Sequence, residues 1–176
     1  IFKIWNGGMS FHGGLFGIII SIYLFSIFHK IKFYYLSDLV SVVAPIGLFL
    51  GRLANFINTE LIGRPTEFYI SVIYPSVDNL QRHPSQLYEA FFEGFLLFFI
   101  LLFYFLRKNI FYKNGFISGL FLTFYALFRF LIEFLREPDS HMGLFYNLIS
   151  MGQILSIPLF IFGIILIKLN GYKRRY

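Results

Sequence analysis

The segment Val42–Gly63, VVAPIGLFLGRLANFINTELIG, decides how the chain is read. Val42 to Leu50 is an uncharged apolar run; from Gly51 onward an arginine, two asparagines and a glutamate appear, as where a membrane helix runs out. Arg52, Asn55 and Asn58 or Thr59 recur at spacings of three or four, which puts them on one face of a helix. A charge within such a helix costs about 2.5–3.5 kcal/mol on insertion scales, so Arg52 is expected to face a polar pocket rather than lipid. An arginine in that setting calls for an anion.

Outward from this segment, the whole chain has the same character. With 57% hydrophobic residues and a mean hydropathy of +0.70 over 176 residues, the composition is that of an integral membrane protein and argues against a water-soluble domain. The net charge of +6 could point to nucleic acid or anionic lipid, but the charges sit at the ends of apolar runs, so no nucleic-acid partner is expected. Cysteine is absent, which rules out disulfides, thiolate metal sites and an enzyme-borne thiol; any thiol chemistry must use a thiol brought by a substrate. No HExxH, P-loop or dinucleotide fingerprint occurs, so no metal or cofactor is expected. The chain opens at Ile1 with no basic leader before its first apolar run, and we expect a fragment whose natural N-terminus lies upstream.

The hydropathy pattern predicts an all-α polytopic bundle of about five spans. They run over Gly7–Phe28, from an N-cap at Ser37-Asp38 to about Ile57, Pro84-Ser85 to Leu106, Gly115–Leu135 and Gly143–Ile167. Between the second and third spans, Asn58 to Pro84 reads as a polar excursion in which Tyr69 to Tyr74 is a short strand or an interfacial segment. Nine basic residues flank one side of the membrane (Lys30, Lys32, Arg107, Lys108, Lys113, Lys168, Lys173, Arg174, Arg175) and four the other (Lys3, Arg64, Arg82, Arg136). The positive-inside rule then puts the C-terminus in the cytoplasm and the 58–84 excursion outside.

Two arginines fall within spans. Tyr125, Arg129, Glu133 and Arg136 step by four, four and three, drawing a polar stripe along an otherwise apolar helix. Arg129 and Glu133 could be a structural ion pair. Together with Arg52 near the same leaflet, Arg129 could instead bind a phosphate, for which guanidinium offers planar bidentate donors. His12 lies among Gly7, Gly8, Gly13, Gly14 and Gly17, where it is either a packing residue or, at the depth of Arg52, a base. Ser10 is a weak nucleophile partner for it, since residues two apart on a helix do not face each other. Glu89 and Glu93 read first as acidic residues favoured by a helix dipole, and second as partners for an arginine. His83, before Pro84, reads as structural.

At this point the residues resemble a known family. Gly51–Gly63 matches the signature of the prolipoprotein diacylglyceryl transferases, glycine-arginine-x-small-asparagine-phenylalanine-apolar-asparagine-x-glutamate-x-x-glycine, at every defined position. GGMSFHGG (7–14), RHPSQLYEA (82–90), YALFRFLIEFLREPD (125–139) and SMGQILSIP (150–158) are similar to that family's blocks, in its order. The family usually has about seven spans, which implies that roughly two N-terminal helices are missing here and that the 58–84 excursion is short.

The resemblance implies a single membrane-embedded domain over 1–176 in the bacterial inner membrane, with its site toward the periplasm. It implies transfer of the diacylglyceryl group of phosphatidylglycerol to the lipobox cysteine of a prolipoprotein, by a monomer without cofactor. On that basis Arg52 and Asn55 are expected to bind the lipid headgroup, and Arg129 the phosphate or leaving group. His12 is expected to deprotonate the thiol, and Tyr125 to orient the lipid or donate a proton. Gly8, Gly13, Asn58, Glu60, Gly63, Glu133 and Arg136 are expected to support them. The competing readings are an anion transporter or channel lined by Arg52 and Arg129, an intramembrane protease, and a scaffold without catalysis. The transporter would need a continuous polar route, whereas the inner halves of these helices are almost wholly apolar.

Overall fold

The computed structural model describes residues 11–107, 114–137, 144–145 and 149–170. Five helices follow in order: α1 (Phe11–His29), α2 (Phe33–Ile57), α3 (Ser85–Leu106), α4 (Phe116–Ile132) and α5 (Met151–Asn170). α2, α3 and α5 are long and apolar enough to cross a membrane, while α4 and Phe16–His29 of α1 are shorter apolar helices. Five helical segments thus stand where five spans were expected. Two short antiparallel pairs interrupt them, β1 (Val72–Ile73) with β2 (Gln81–Arg82) and β3 (Leu144–Phe145) with β4 (Ile149–Ser150).

Helix α4 packs most extensively on α5, through small residues: a side chain on Gly119 or Gly163 would collide with the opposite helix. In membranes such residues let backbones approach where no hydrophobic force drives helices together. Helix α2 packs on α3 and α4, and Val42, Leu97, Leu101, Ile117 and Leu120 form the buried cluster they share. Helix α1 packs on α2, with Phe16, Ile20 and Phe28 among its many exposed apolar side chains. That surface suits lipid rather than water.

Three helix boundaries depart from expectation. Helix α2 begins at Phe33, four residues before the anticipated cap, because Asp38 caps a different helix. One carboxylate oxygen of Asp38 accepts the Gly115 N–H (2.7 Å), and the other accepts the Ser118 N–H (2.8 Å) and hydroxyl (2.7 Å). It therefore satisfies donors that the first turn of α4 leaves open. Helix α5 begins at Met151 rather than Gly143, since Ile149 and Ser150 pair with Phe145 and Leu144. Helix α4 ends at Ile132, so Glu133 lies in its terminal turn and Arg136 in an extended bridge to Gly63, off the helical stripe.

Asp38→Ala would leave buried donors unmet, a cost of about 1–3 kcal/mol. We expect a lower melting temperature for the full-length protein in detergent, with Asp38→Asn intermediate because one acceptor remains. An unchanged melting temperature would remove Asp38 as the link between α2 and α4.

Candidate active site

Helix α3 is not a uniform α-helix. Ser85–Glu89 and Leu97–Leu106 are α-helical, but Ala90–Leu96 between them is π-helical, a wider winding often found at functional sites. Gly94 lies in this stretch against Phe49, so closely that a Cβ there would come within 2.6 Å of the Phe49 Cβ. Glu93 lies in this stretch and Glu89 just before it, and both are fully buried.

These two carboxylates bring the arginines together. Arg52 reaches from α2, with Nη1 2.9 Å from Glu89 Oε2 and Nη2 3.2 Å from Glu93 Oε2. Arg129 reaches from α4, with Nη1 2.5 Å from Glu89 Oε1 and 3.9 Å from Glu93 Oε1, and Nη2 2.8 Å from Glu133. Arg136 adds its Nη1 at 3.9 Å from Glu89 Oε1. Three arginines and three glutamates from α2, α3 and the end of α4 thus form one network. The dipole reading of Glu89 and Glu93 is overturned. They sit where they do because an arginine on an apolar helix must be paired.

Glu133 owes its place to α5. Gly152, in the first turn of that helix, lies so close that an added Cβ would meet the Glu133 carboxylate at 2.8 Å, and a side chain there would push that carboxylate aside. Behind the network, the signature's carbonyls are held by the block that follows. Gln86 Nε2 donates to the Glu60 carbonyl (2.6 Å), Ser85 to the Leu61 carbonyl (3.0 Å) and Arg82 Nη1 to the Gly63 carbonyl (3.0 Å). Gln86 also accepts the Tyr74 hydroxyl (3.0 Å). Gly63 itself packs on His83, whose carbonyl would lie 2.2 Å from any Cβ.

The remaining anticipated residues are placed as follows. Asn55 is half-buried on α2, and its carbonyl accepts the Glu60 N–H (2.9 Å). Asn58 is the exposed C-cap of α2, its N–H still donating to the Ala54 carbonyl (2.9 Å), and the chain turns through positive φ just beyond it at Thr59 and Leu61. Glu60 is exposed and contributes its carbonyl rather than its carboxylate. Tyr125 is half-buried one turn before Arg129 and stacks on Phe121. His12 and Gly13 belong to α1, but their side chains, like Gly8 altogether, lie outside the described residues.

Two apolar grooves lie between helices of the bundle. One of about 260 Å³ lies between α2 and α3, lined by Phe49, Leu53, Leu87, Ala90, Phe91 and Phe95, next in sequence to Arg52 and Glu89. The other, about 190 Å³, lies between α4 and α5 at Ala126, Phe130, Ser156 and Phe160.

Over residues 1–169 the chain matches the family model for prolipoprotein diacylglyceryl transferase. The chain belongs to that family. It is 55% identical over 167 residues to a phosphatidylglycerol-prolipoprotein diacylglyceryl transferase of Rickettsia bellii (strain OSU 85-389), covering 95% of this chain and 64% of the relative. To its counterpart in Rickettsia akari (strain Hartford) it is 55% identical over 174 residues, covering 98% and 67%. To that of Rickettsia typhi (strain ATCC VR-144 / Wilmington) it is 53% identical over 172 residues, covering 97% and 66%. The chain therefore spans about two thirds of the length of these relatives. With its apolar helices, membership in this transferase family makes it a multi-pass protein of the bacterial inner membrane.

Outside the spans, the transferase-family chain folds the 58–84 segment around one buried arginine. Arg82 binds both oxygens of Asp78, donating from Nη2 (2.6 Å) and Nε (3.0 Å) to Oδ2 and from Nε to Oδ1 (3.2 Å), and also pairs with Glu137. The bonded Arg82 guanidinium holds the Asp78 carboxyl below its usual range and is itself raised by Asp78. A carboxyl with a depressed folded value contributes fully above its unfolded value, and the contribution is lost as pH falls through the folded one. Limited proteolysis within 66–81 should therefore be unchanged from neutral pH down to the ordinary carboxylate range and rise only in stronger acid. Asp78→Asn should remove that acid transition.

Proposed function

We propose that the whole protein to which this chain belongs transfers the diacylglyceryl group of phosphatidylglycerol to the cysteine thiol of a prolipoprotein lipobox. The observation that carries the reading is the joining of Arg52 and Arg129, from two different helices, by the buried Glu89. In the reaction the thiolate sulfur attacks the glyceryl carbon that bears the phosphate. A C–S bond forms, the C–O bond breaks, and glycerol phosphate departs with the bonding electrons. The thiol proton passes to a base, a role assigned here to His12. The departing group changes from a phosphodiester monoanion to a phosphate monoester with more negative charge. Fixed guanidinium donors stabilise that gain more than they stabilise the ground state.

The carboxylates hold the arginine forks in place before substrate arrives, so little reorganisation accompanies charge development. Arg52, with Asn55, is assigned to the headgroup and Arg129 to the leaving phosphate, with Tyr125 orienting the lipid. The apolar grooves of the bundle suit acyl chains. The network lies toward the periplasmic side, with the C-terminus in the cytoplasm and 58–84 outside, in keeping with the distribution of basic residues. Precursor and lipid donor are both present at that leaflet.

The test is incubation of the full-length protein in detergent with phosphatidylglycerol and a lipobox peptide. Peptide mass should rise by one diacylglyceryl group with stoichiometric release of glycerol phosphate. A folded protein that gives neither product would overturn the reading, and anion flux into liposomes would then be measured.

A further inference from the structure

At the end of the bundle that holds the network, the described arginines are Arg52, Arg64, Arg82, Arg129 and Arg136. Four of them have a carboxylate oxygen within 4 Å. The three that meet Glu89, Glu93 and Glu133 are thus already engaged by carboxyl groups of the network. Arg64 differs. Its side chain donates from Nε to the Arg136 carbonyl (2.9 Å), and no carboxylate meets it among the described residues. Among the described residues both Nη groups remain available to a planar, two-toothed acceptor.

Arg64 is also held in place. Its N–H donates to the Leu135 carbonyl (2.9 Å), and its carbonyl accepts the His83 N–H (3.0 Å). Gly63 before it pairs with Arg136, and Pro65 after it pairs with Arg82. The side chain is half-buried and anchored on the backbone of Arg136, whose own guanidinium reaches back toward Glu89. A cation that no carboxylate meets among the described residues therefore stands one residue removed from the network.

We propose that Arg64 is a phosphate-binding group at the mouth of the site, receiving the phosphate monoester that the reaction releases. This rests on the transferase reading above. Cleavage of the C–O bond leaves a second negative charge on the phosphate, while the guanidiniums of the network are already engaged by carboxyl groups. Arg64 supplies a cation on the route out.

The experiment uses the full-length protein in detergent and free glycerol phosphate. Arg64→Gln should weaken glycerol phosphate binding, and its inhibition of turnover, by about tenfold or more. The KM for phosphatidylglycerol should be unchanged, and Arg64→Lys should recover part of the loss. A raised KM with unchanged glycerol phosphate binding would overturn the product assignment and give the group to the intact lipid headgroup. No change in either would overturn phosphate binding altogether. Should Arg64→Gln fail to fold, the wild-type protein provides the readout. Glycerol phosphate should slow phenylglyoxal labelling of Arg64, followed by peptide mass, and undiminished labelling would overturn the proposal. Protection is read without turnover, so a wild-type protein that fails to transfer defeats the transferase reading on separate evidence.

Discussion

Glu89→Ala in the full-length protein is expected to abolish transfer and lower thermal stability together. The Glu89 side chain is fully buried and meets Arg52 at 2.9 Å and Arg129 at 2.5 Å, with Arg136 at 3.9 Å. Removing one partner of a buried ion pair costs about 3–5 kcal/mol, because the remaining charge is left without compensation. Here two guanidiniums lose their common partner. Glu89→Gln keeps the volume and one acceptor, so it separates the two effects: it should retain more of the fold than alanine while still losing most of the turnover. Melting temperature in detergent and initial transfer rates would be measured on both variants. Wild-type turnover in Glu89→Gln would show that its charge is dispensable.

Arg52→Lys should be nearly as damaging to activity. Arg52 uses Nη1 for Glu89 and Nη2 for Glu93, a forked contact that a single ammonium cannot reproduce. One buried carboxylate is then left without its cation, and the donors assigned to the headgroup are misplaced. Loss of one preorganised donor typically lowers kcat by about 10²–10³-fold. We expect a fall of that order in kcat/KM for phosphatidylglycerol, with the KM for peptide little changed. Near-normal turnover would remove Arg52 from the headgroup site.

The helical bundle was legible because apolar runs of span length are hard to mistake, and the Arg129–Glu133 pair was legible from its spacing of four. The partnership of Glu89 and Glu93 was not. Acidic residues near a helix start satisfy the dipole equally well, and only the packing of α3 against α2 and α4 shows which force acts. No residue in AFFEGFL announces a π-helical winding; the stretch carries Gly94 where α3 meets Phe49. Asp38 misled for a related reason. A residue suited to capping says nothing about which helix it caps, and here the helix lies 77 residues away in sequence.

The 58–84 segment separates two design problems. Pro65 pairs with Arg82 and the Thr66 N–H bonds the Gln81 carbonyl, closing the chain between them into a side loop. What fixes Gly63, Ser85 and Gln86 lies on the near side of that closure, at the buried Tyr74, or at Asp78, which binds Arg82. The exposed stretch 67–70, ahead of β1, is thus a natural port for added sequence, since lengthening a loop costs only about 0.6 kcal/mol per doubling. A lineage could lengthen this outer loop, and so reshape what docks there, without resetting the arginine network beneath it.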